Sequence, residues 1–422
     1  MTVIRHLGGA VAVAQVTNVT PAGTVASGDL FRAQISNKVL TYTSTAATVA
    51  SIVTGFTSAW NASTEPEFAE VTAVASGTTS ITLTADTPGK PFIVTTTTVD
   101  QSTADGPPTF TTTTAGTASA GPNHADSAGN YDTNTVPVSS DEVFVENHSI
   151  DILYGLNSSS VVLETLNFAQ NYTGKVGLPE RNSGGYPEYR ETHWNIASKV
   201  VRIGYGTGAG SGRLKLNLGS TQASVTAINI LNSGTPTEGT AVEAVLLRAS
   251  NSSNSLQVLK GSVGVGIITN TTSQFATVAI GYVNQVASDA KVRFGSGVSL
   301  ATVNQFGGEV ETNAAVTTLN QQAGTHTHQA GTMGTANVDG GTLTYNSTGT
   351  ITAANIGSGG HLDLSKDTRR LTVSALDLHA QSRLSDPYRR VNNLTLDLNR
   401  CALSDVTIDI GTHIRIATTD PA

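Results

Sequence analysis

Four short stretches decide the reading of this chain: Gly307-Gly-Glu-Val310, Ala323-Gly-Thr-His326, Gly340-Gly-Thr-Leu343 and Gly359-Gly-His-Leu362. The second glycines stand 16, 17 and 19 residues apart (308 to 324, 324 to 341, 341 to 360), and each opens a short strand-like run. Variable repeats of this length are the mark of a β-solenoid, in which each rung leaves a strand edge that the next rung covers. Glycine at each corner permits a backbone conformation or a close approach that a side chain forbids.

Outward from this stretch the charge pattern agrees. Between Asn251 and Gly360 the charged residues are Lys260, Asp289, Lys291, Arg293, Glu309, Glu311 and Asp339, seven in all. So sparse an exterior, rich in Thr, Ser, Ala and Val, predicts that one face is buried against copies of the same chain, as in a threefold spike; the alternative is a monomeric solenoid with a hydroxylated surface. Earlier strands are expected at Val143-Phe-Val145, Ser149-Ile-Asp-Ile-Leu153, Ser160-Val-Val-Leu163, Leu166-Asn-Phe168, Val200-Val-Arg-Ile203 and Arg213-Leu-Lys-Leu-Asn-Leu218. The charged piece Asp363 to Arg400 breaks the glycine pattern before Val406-Thr-Ile-Asp-Ile410 and His413-Ile-Arg-Ile416 resume alternation, and it is read as a cap.

The N-terminal quarter has a different grain. Leu30-Phe-Arg-Ala-Gln-Ile35 and Val39-Leu-Thr-Tyr-Thr43 form a hairpin pattern with Phe31, Ala33 and Ile35 on one face. Val49, Val53, Phe56 and Trp60 follow at helical spacing within Ala46–Asn61, and Val71-Thr-Ala73, Ser80–Thr84 and Pro91–Val94 read as further strands. Phe31, Phe56 and Trp60 are either the core of this α/β module or, if exposed, a docking surface. Met1 to Ala14 is read as a first strand, because its apolar run is short and interrupted by Gly8-Gly9. Thr95 to Asn134, with its threonine runs and only Phe110 and Tyr131 as aromatic anchors, reads as a spacer or an arm that wraps a neighbour. The expected organisation is therefore mainly β. It comprises an N-terminal small α/β module over residues 1–98, a Thr/Ala/Gly-rich linker or arm over 99–140, and an irregular right-handed parallel β-helix with a C-terminal cap over 141–422.

Composition bounds the function. The chain has 422 residues, 13% of them charged against roughly 25% for an ordinary soluble domain, and a net charge of -8. No basic stripe is available to neutralise phosphates, which disfavours nucleic acid as a partner. No apolar run approaches the roughly 20 residues that span a bilayer, so no membrane partner is expected. Cys401 is the single cysteine, which excludes a disulfide framework and a cysteine-cluster zinc site and is read as a small buried hydrophobe. No cofactor is implied: Gly204-Tyr-Gly-Thr-Gly-Ala-Gly-Ser-Gly212 lacks the lysine of a phosphate loop and the strand-loop-helix setting of a dinucleotide site.

Two constellations stand out. Leu178 to Trp194 holds Glu180, Arg181, Tyr186, Glu188, Tyr189, Arg190, Glu191, His193 and Trp194. Paired carboxylates beside aromatic rings suit a glycosidase; the blander and favoured reading is an ordered loop whose Arg and Glu pair and whose aromatics seal a domain or subunit junction. In His326-Thr-His328 the two rings share one side of a strand, so a threefold axis would gather six imidazoles fit for a transition metal. The alternative is a pair of hydrogen-bonded surface histidines, and no metal is assigned.

Some of these stretches carry a resemblance. Gly28-Asp-Leu-Phe31, Ala46-Ala-Thr-Val-Ala50, Ala59-Trp-Asn-Ala62, Ile81-Thr-Leu-Thr-Ala85 and Thr87-Pro-Gly89 resemble a small module that recurs in phage virion proteins, including insertions in tail sheath and other surface components. Asp151–Gly155, Tyr172–Glu180, Tyr186–Arg190, Gln257–Gly264 and Arg293–Val298 are similar to stretches of β-helical proteins from phage genomes. The resemblance implies a virion component, not an activity, and no enzymatic activity is expected. The expectation is a homotrimeric capsid decoration, or cement, protein on the capsid surface that binds the major capsid protein. The alternative is a tail fibre or tailspike that binds a receptor, with the Leu178–Trp194 loop as its contact.

Overall fold

The structure is a computed structural model that describes residues 2–101, 106–219, 225–237, 243–267, 272–283, 288–391, 395–398, 401–410 and 415–417. The chain is mainly β, and its largest element is a long parallel sheet. From Ala227–Ile230 onward each strand pairs not with its sequence neighbour but with the next but one, so two ladders rise side by side as a column. One runs through Ser255–Val258, Ser273–Ile280, Val298–Gln305, Val316–Gln321, Met333–Val338, Ile351–Ile356 and Val373–Leu378. The other runs through Gly261–Val265, Ala290–Phe294, Glu309–Thr312, Thr325–His328, Gly341–Tyr345, Gly360–Asp363 and Arg383–Asp386.

Alternation fixes what lies inside. Val303, Leu319, Ala336, Ala354 and Leu376 stack in register and are buried, as are Val292, Val310, His326, Leu343, Leu362 and Leu384. The apolar members of both series belong to one continuous core. Outside, the first ladder carries a file of asparagines: Asn355 donates to Asn337 (2.8 Å), Asn337 to Asn320 (2.8 Å) and Asn320 to Asn304 (2.9 Å). Each amide meets its neighbour along the rung-to-rung direction, as side chains stacked in a parallel register do. On the other ladder Lys291 pairs with Glu309 (3.0 Å) and Arg293 with Glu243 (2.6 Å).

Three expectations about organisation need correction. The first strand, Val3–His6, is not part of the module: it pairs in parallel with Glu142–Val145 and lays the first rung of the column. The module is thus an insertion, closed at its neck by the Val13–Ala120 bridge. The supposed linker is strand in part. Thr109–Thr117 pairs antiparallel with Val16–Ala22, and Phe110 is buried among the module's aromatics, 4.9 Å from Phe56 and 5.5 Å from Phe31 between ring centroids. Threonine-rich runs pair readily because β-branched side chains fit a pleated surface whether or not an apolar alternation marks them. Finally, Asp363 to Arg400 is no cap, since strands at Gly360–Asp363, Val373–Leu378, Arg383–Asp386 and Thr395–Asp397 carry both ladders through it to Thr407–Ile410 and Arg415–Ala417. His413 lies outside the described residues.

Within the module, the helix spans Val49–Asn61 and Thr48 caps it by accepting from Ser51 N. Ile52, Val53, Phe56 and Trp60 are buried beneath it, with Phe31, Ala33 and Ile35 opposite, so the aromatics form core and not a docking surface. Trp60 Nε1 donates to Val71 O at 2.7 Å, which ties the helix to the four-stranded sheet. Pro91–Val94 is not a strand; the pairing there falls to Thr95–Val99, alongside Leu30–Ile35.

Candidate functional site

The Leu178–Trp194 loop leaves the column after the bridges of Val176 with Ile152 and Leu214 and returns into the Trp194–Tyr205 strand. A tight turn shapes its tip: Gly185 N donates to Asn182 O (2.9 Å) and Asn182 N to Tyr186 O (3.0 Å), with Gly185 at φ +85°. Glu188 then folds back on its own backbone, accepting from Tyr189 N and Arg190 N, both at 3.0 Å.

Arg190 is the centre of the site. Its Nη1 donates to Glu188 (3.0 Å), its Nη2 to Glu70 of the inserted module (2.8 Å) and its Nε to Pro91 O of the same module (2.6 Å). The guanidinium stands 4.4 Å over the Tyr189 ring, an arrangement suited to a planar cation. Glu70 also pairs with Lys90 and takes a longer contact from Asn182 (3.5 Å). Tyr186 and Tyr189 stack with centroids 6.0 Å apart, and Tyr189 packs on the module's apolar core. Burial pushes the Glu70 carboxyl upward, but hydrogen bonds from Lys90, Tyr186 and Arg190 outweigh it and hold the group below its ordinary value. Burial pushes the Tyr189 hydroxyl up to about 12.

This geometry makes the loop a clamp between column and module. A glycosidase pair needs one carboxyl that keeps its proton near neutrality. Here hydrogen bonds hold the Glu70 carboxyl below its ordinary value, so it is no proton donor in waiting, and Glu188 is bound to the same arginine. Trp194 and Tyr186 are 1% and 4% exposed and offer no face to a sugar. As outward contacts Tyr186, Arg190 and Trp194 are therefore corrected, whereas Glu180, Arg181 and Glu191 are exposed. The partners Glu70 and Lys90 lie about a hundred residues upstream, and no local pattern announces them.

The histidine pair is also placed differently from either expectation. His326 and His328 point into the column and are fully buried, so no axis outside it can gather their rings. The Gln305 amide is fixed by two carbonyls, Gly308 O (3.2 Å) and Thr325 O (3.0 Å), which leaves its Oε1 to take the proton of His326 Nδ1 at 3.1 Å. His328 Nε2 donates to Gly331 O (3.2 Å), and the Thr312 hydroxyl lies between the two remaining ring nitrogens, 3.1 Å from His326 and 2.8 Å from His328. Both of those nitrogens are acceptors, so the single Thr312 proton serves one of them at a time. Burial, with the neighbouring His328 ring, lowers His326 to about 3; burial lowers His328 to about 4 against the Gly331 hydrogen bond. Among the described residues no group of three or more His, Cys, Asp or Glu is placed to hold a metal, and no helix there is long and apolar enough to cross a membrane.

Comparison of the chain with protein-family models, with curated proteins and with solved structures gives no match in any of the three.

Proposed function

We propose that this chain is a structural component of a phage particle, a capsid decoration protein whose right-handed β-helical column assembles as a homotrimer on the major capsid protein. The observation that carries the reading is the uncharged flank of the column. From Ser273 to Ile356 the outward positions of one ladder, among them Thr277, Thr302, Thr318 and Thr335, hold no charged residue, and the asparagine file links its amides from rung to rung. Such a flank has no charge to desolvate when another column lies against it, and the file asparagines keep their rung-to-rung amide bonds. The resemblance to virion modules supports the same role. Trimeric contacts would let many weak attachments act together at high effective concentration.

The test is the stoichiometry of this chain against the major coat protein in purified particles. A ratio near one, or a simple fraction such as one third, supports decoration. A ratio on the order of a hundredth replaces it with the tail fibre or spike reading, and absence from particles refutes both.

A further inference from the structure

We infer that the stacked turns Ser365–Arg370 and Asp386–Arg390 form a docking surface for an acidic protein partner. The two turns lie on successive rungs: Leu371 N donates to Arg390 O (2.9 Å), Leu364 N to Ser385 O (2.8 Å) and Arg390 Nε to Arg369 O (2.9 Å). Both turns mix acids and bases in sequence, and the fold separates them. The acids turn inward. Asp363 accepts from Ser365 N (2.9 Å), and Asp386, 3% exposed, accepts from Arg390 N (2.9 Å) and Val391 N (3.1 Å). Asp367, its side chain 12% exposed, is held by Arg369 (2.8 Å) and Arg390 (3.2 Å).

The bases remain outside. Lys366, Arg369, Arg370 and Arg389 are exposed, and Lys366, Arg370 and Arg389 have no ion-pair partner among the described residues. Tyr388 stands 57% exposed beside them, and Arg389 is held at φ +58°, a conformation an arginine rarely adopts and one that fixes the tip of its turn. The turns on the preceding rungs of this edge, Gln329–Thr332 and Asn346–Thr350, carry no charge. The result is a compact positive patch on a chain whose net charge is -8. Its composition favours a protein over a polyphosphate backbone: arginine and tyrosine are the residues that dominate protein interfaces, and arginine forks match carboxylates in pairs. The patch spans only two rungs, too short to track a nucleic-acid strand, and complementary charge gives it register and a fast encounter.

The inference takes its partner's class from the particle reading, yet the two fail separately, since stoichiometry tests the one and binding of the isolated full chain tests the other. Immobilised poly-L-glutamate serves as the carboxylate probe, with polyphosphate and duplex DNA alongside. The chain should bind poly-L-glutamate at low salt, lose that binding as salt rises, and lose at least about tenfold in affinity in Lys366→Glu/Arg370→Glu/Arg389→Glu. Lys199→Glu, on the Trp194–Tyr205 strand many rungs away, should bind as the unaltered chain does. If the triple change disturbs folding, the single changes Arg370→Gln and Arg389→Gln, both at exposed side chains, are read instead. Undiminished binding in these variants, or no binding by the unaltered chain, overturns the docking surface. Tighter binding of polyphosphate or DNA than of poly-L-glutamate overturns the assignment of a protein partner.

Discussion

The corner glycines make two demands on the chain, and the rungs allow them to be measured apart. Gly324 has φ +83°, and a Cβ built on it would lie against Gly308 O of the rung below, roughly 1 Å inside van der Waals contact. That carbonyl is not free to move, since it accepts from Thr325 N (2.9 Å) and from Gln305 Nε2 (3.2 Å). Gly359, at a later corner, has φ +86°, but its Cβ would find only Asp339 O at 4.0 Å. Gly359→Ala therefore pays the left-handed backbone penalty alone, about 1 kcal/mol. Gly324→Ala adds the displacement of a rung and the weakening of two hydrogen bonds, about 2 to 4 kcal/mol more. Urea unfolding followed by circular dichroism should show a small shift in midpoint for Gly359→Ala and one several times larger for Gly324→Ala. Equal shifts would mean that the glycines are there for backbone conformation only and that the rung spacing does not require them.

Three further outcomes are expected. Burial lowers His6, His193 and His326 to about 3 and His328 to about 4. Above about pH 6.5 both folded and unfolded states are neutral at these rings and nothing is lost; below it the unfolded chain takes protons that the folded one refuses, so stability falls. At pH 5 each ring costs about 2 kcal/mol, and the unfolding midpoint should drop steeply between pH 6.5 and 4; a flat profile over that window would refute the neutral buried rings. Arg190→Ala leaves Glu188 without its cation and Glu70 with Lys90 alone, and should cost about 3 kcal/mol, with Arg190→Lys giving little rescue because an ammonium cannot hold both carboxylates and Pro91 O together. Trp60 fluorescence in a Trp194→Phe background reports the module's share of that loss, and a module transition unchanged by Arg190→Ala would sink the clamp. Arg390 is fully buried and donates to the carbonyls of Tyr345, Ser347 and Arg369 on successive turns. Arg390→Leu should lower stability by about 3 to 5 kcal/mol in thermal melts, and a loss under 1 kcal/mol would show that those carbonyls find other donors.

The parallel stacking was legible because a repeat punctuated by glycine survives variation in rung length. The inside of the column was legible too, though not where polarity argued against it. His326 sits two residues after Gly324, as Val310 follows Gly308, Leu343 follows Gly341 and Leu362 follows Gly360. Counting from the corner glycine places the ring in the core, whereas judging the residue by its polarity places it outside; the stacking register decides, and Gln305 and Thr312 supply the partners that make burial tolerable. The strand at Thr109–Thr117 had no such signal, since a threonine run shows the same residue to both faces. Nor had the Arg190–Glu70 pair, whose partners meet only after the module has docked. The separation of acids and bases at Ser365–Arg370 depends on which side chains cap their own turns, and composition averages that away.

The Val13–Ala120 bridge brings the two ends of the inserted module side by side. A loop that departs and returns at one place can be exchanged without re-registering the strands beneath it. The column is in this sense a socket: lineages, or an experimenter, can graft a different payload between Val13 and Ala120, provided that the new passenger forgoes the Arg190 clamp or brings a carboxylate of its own to meet it.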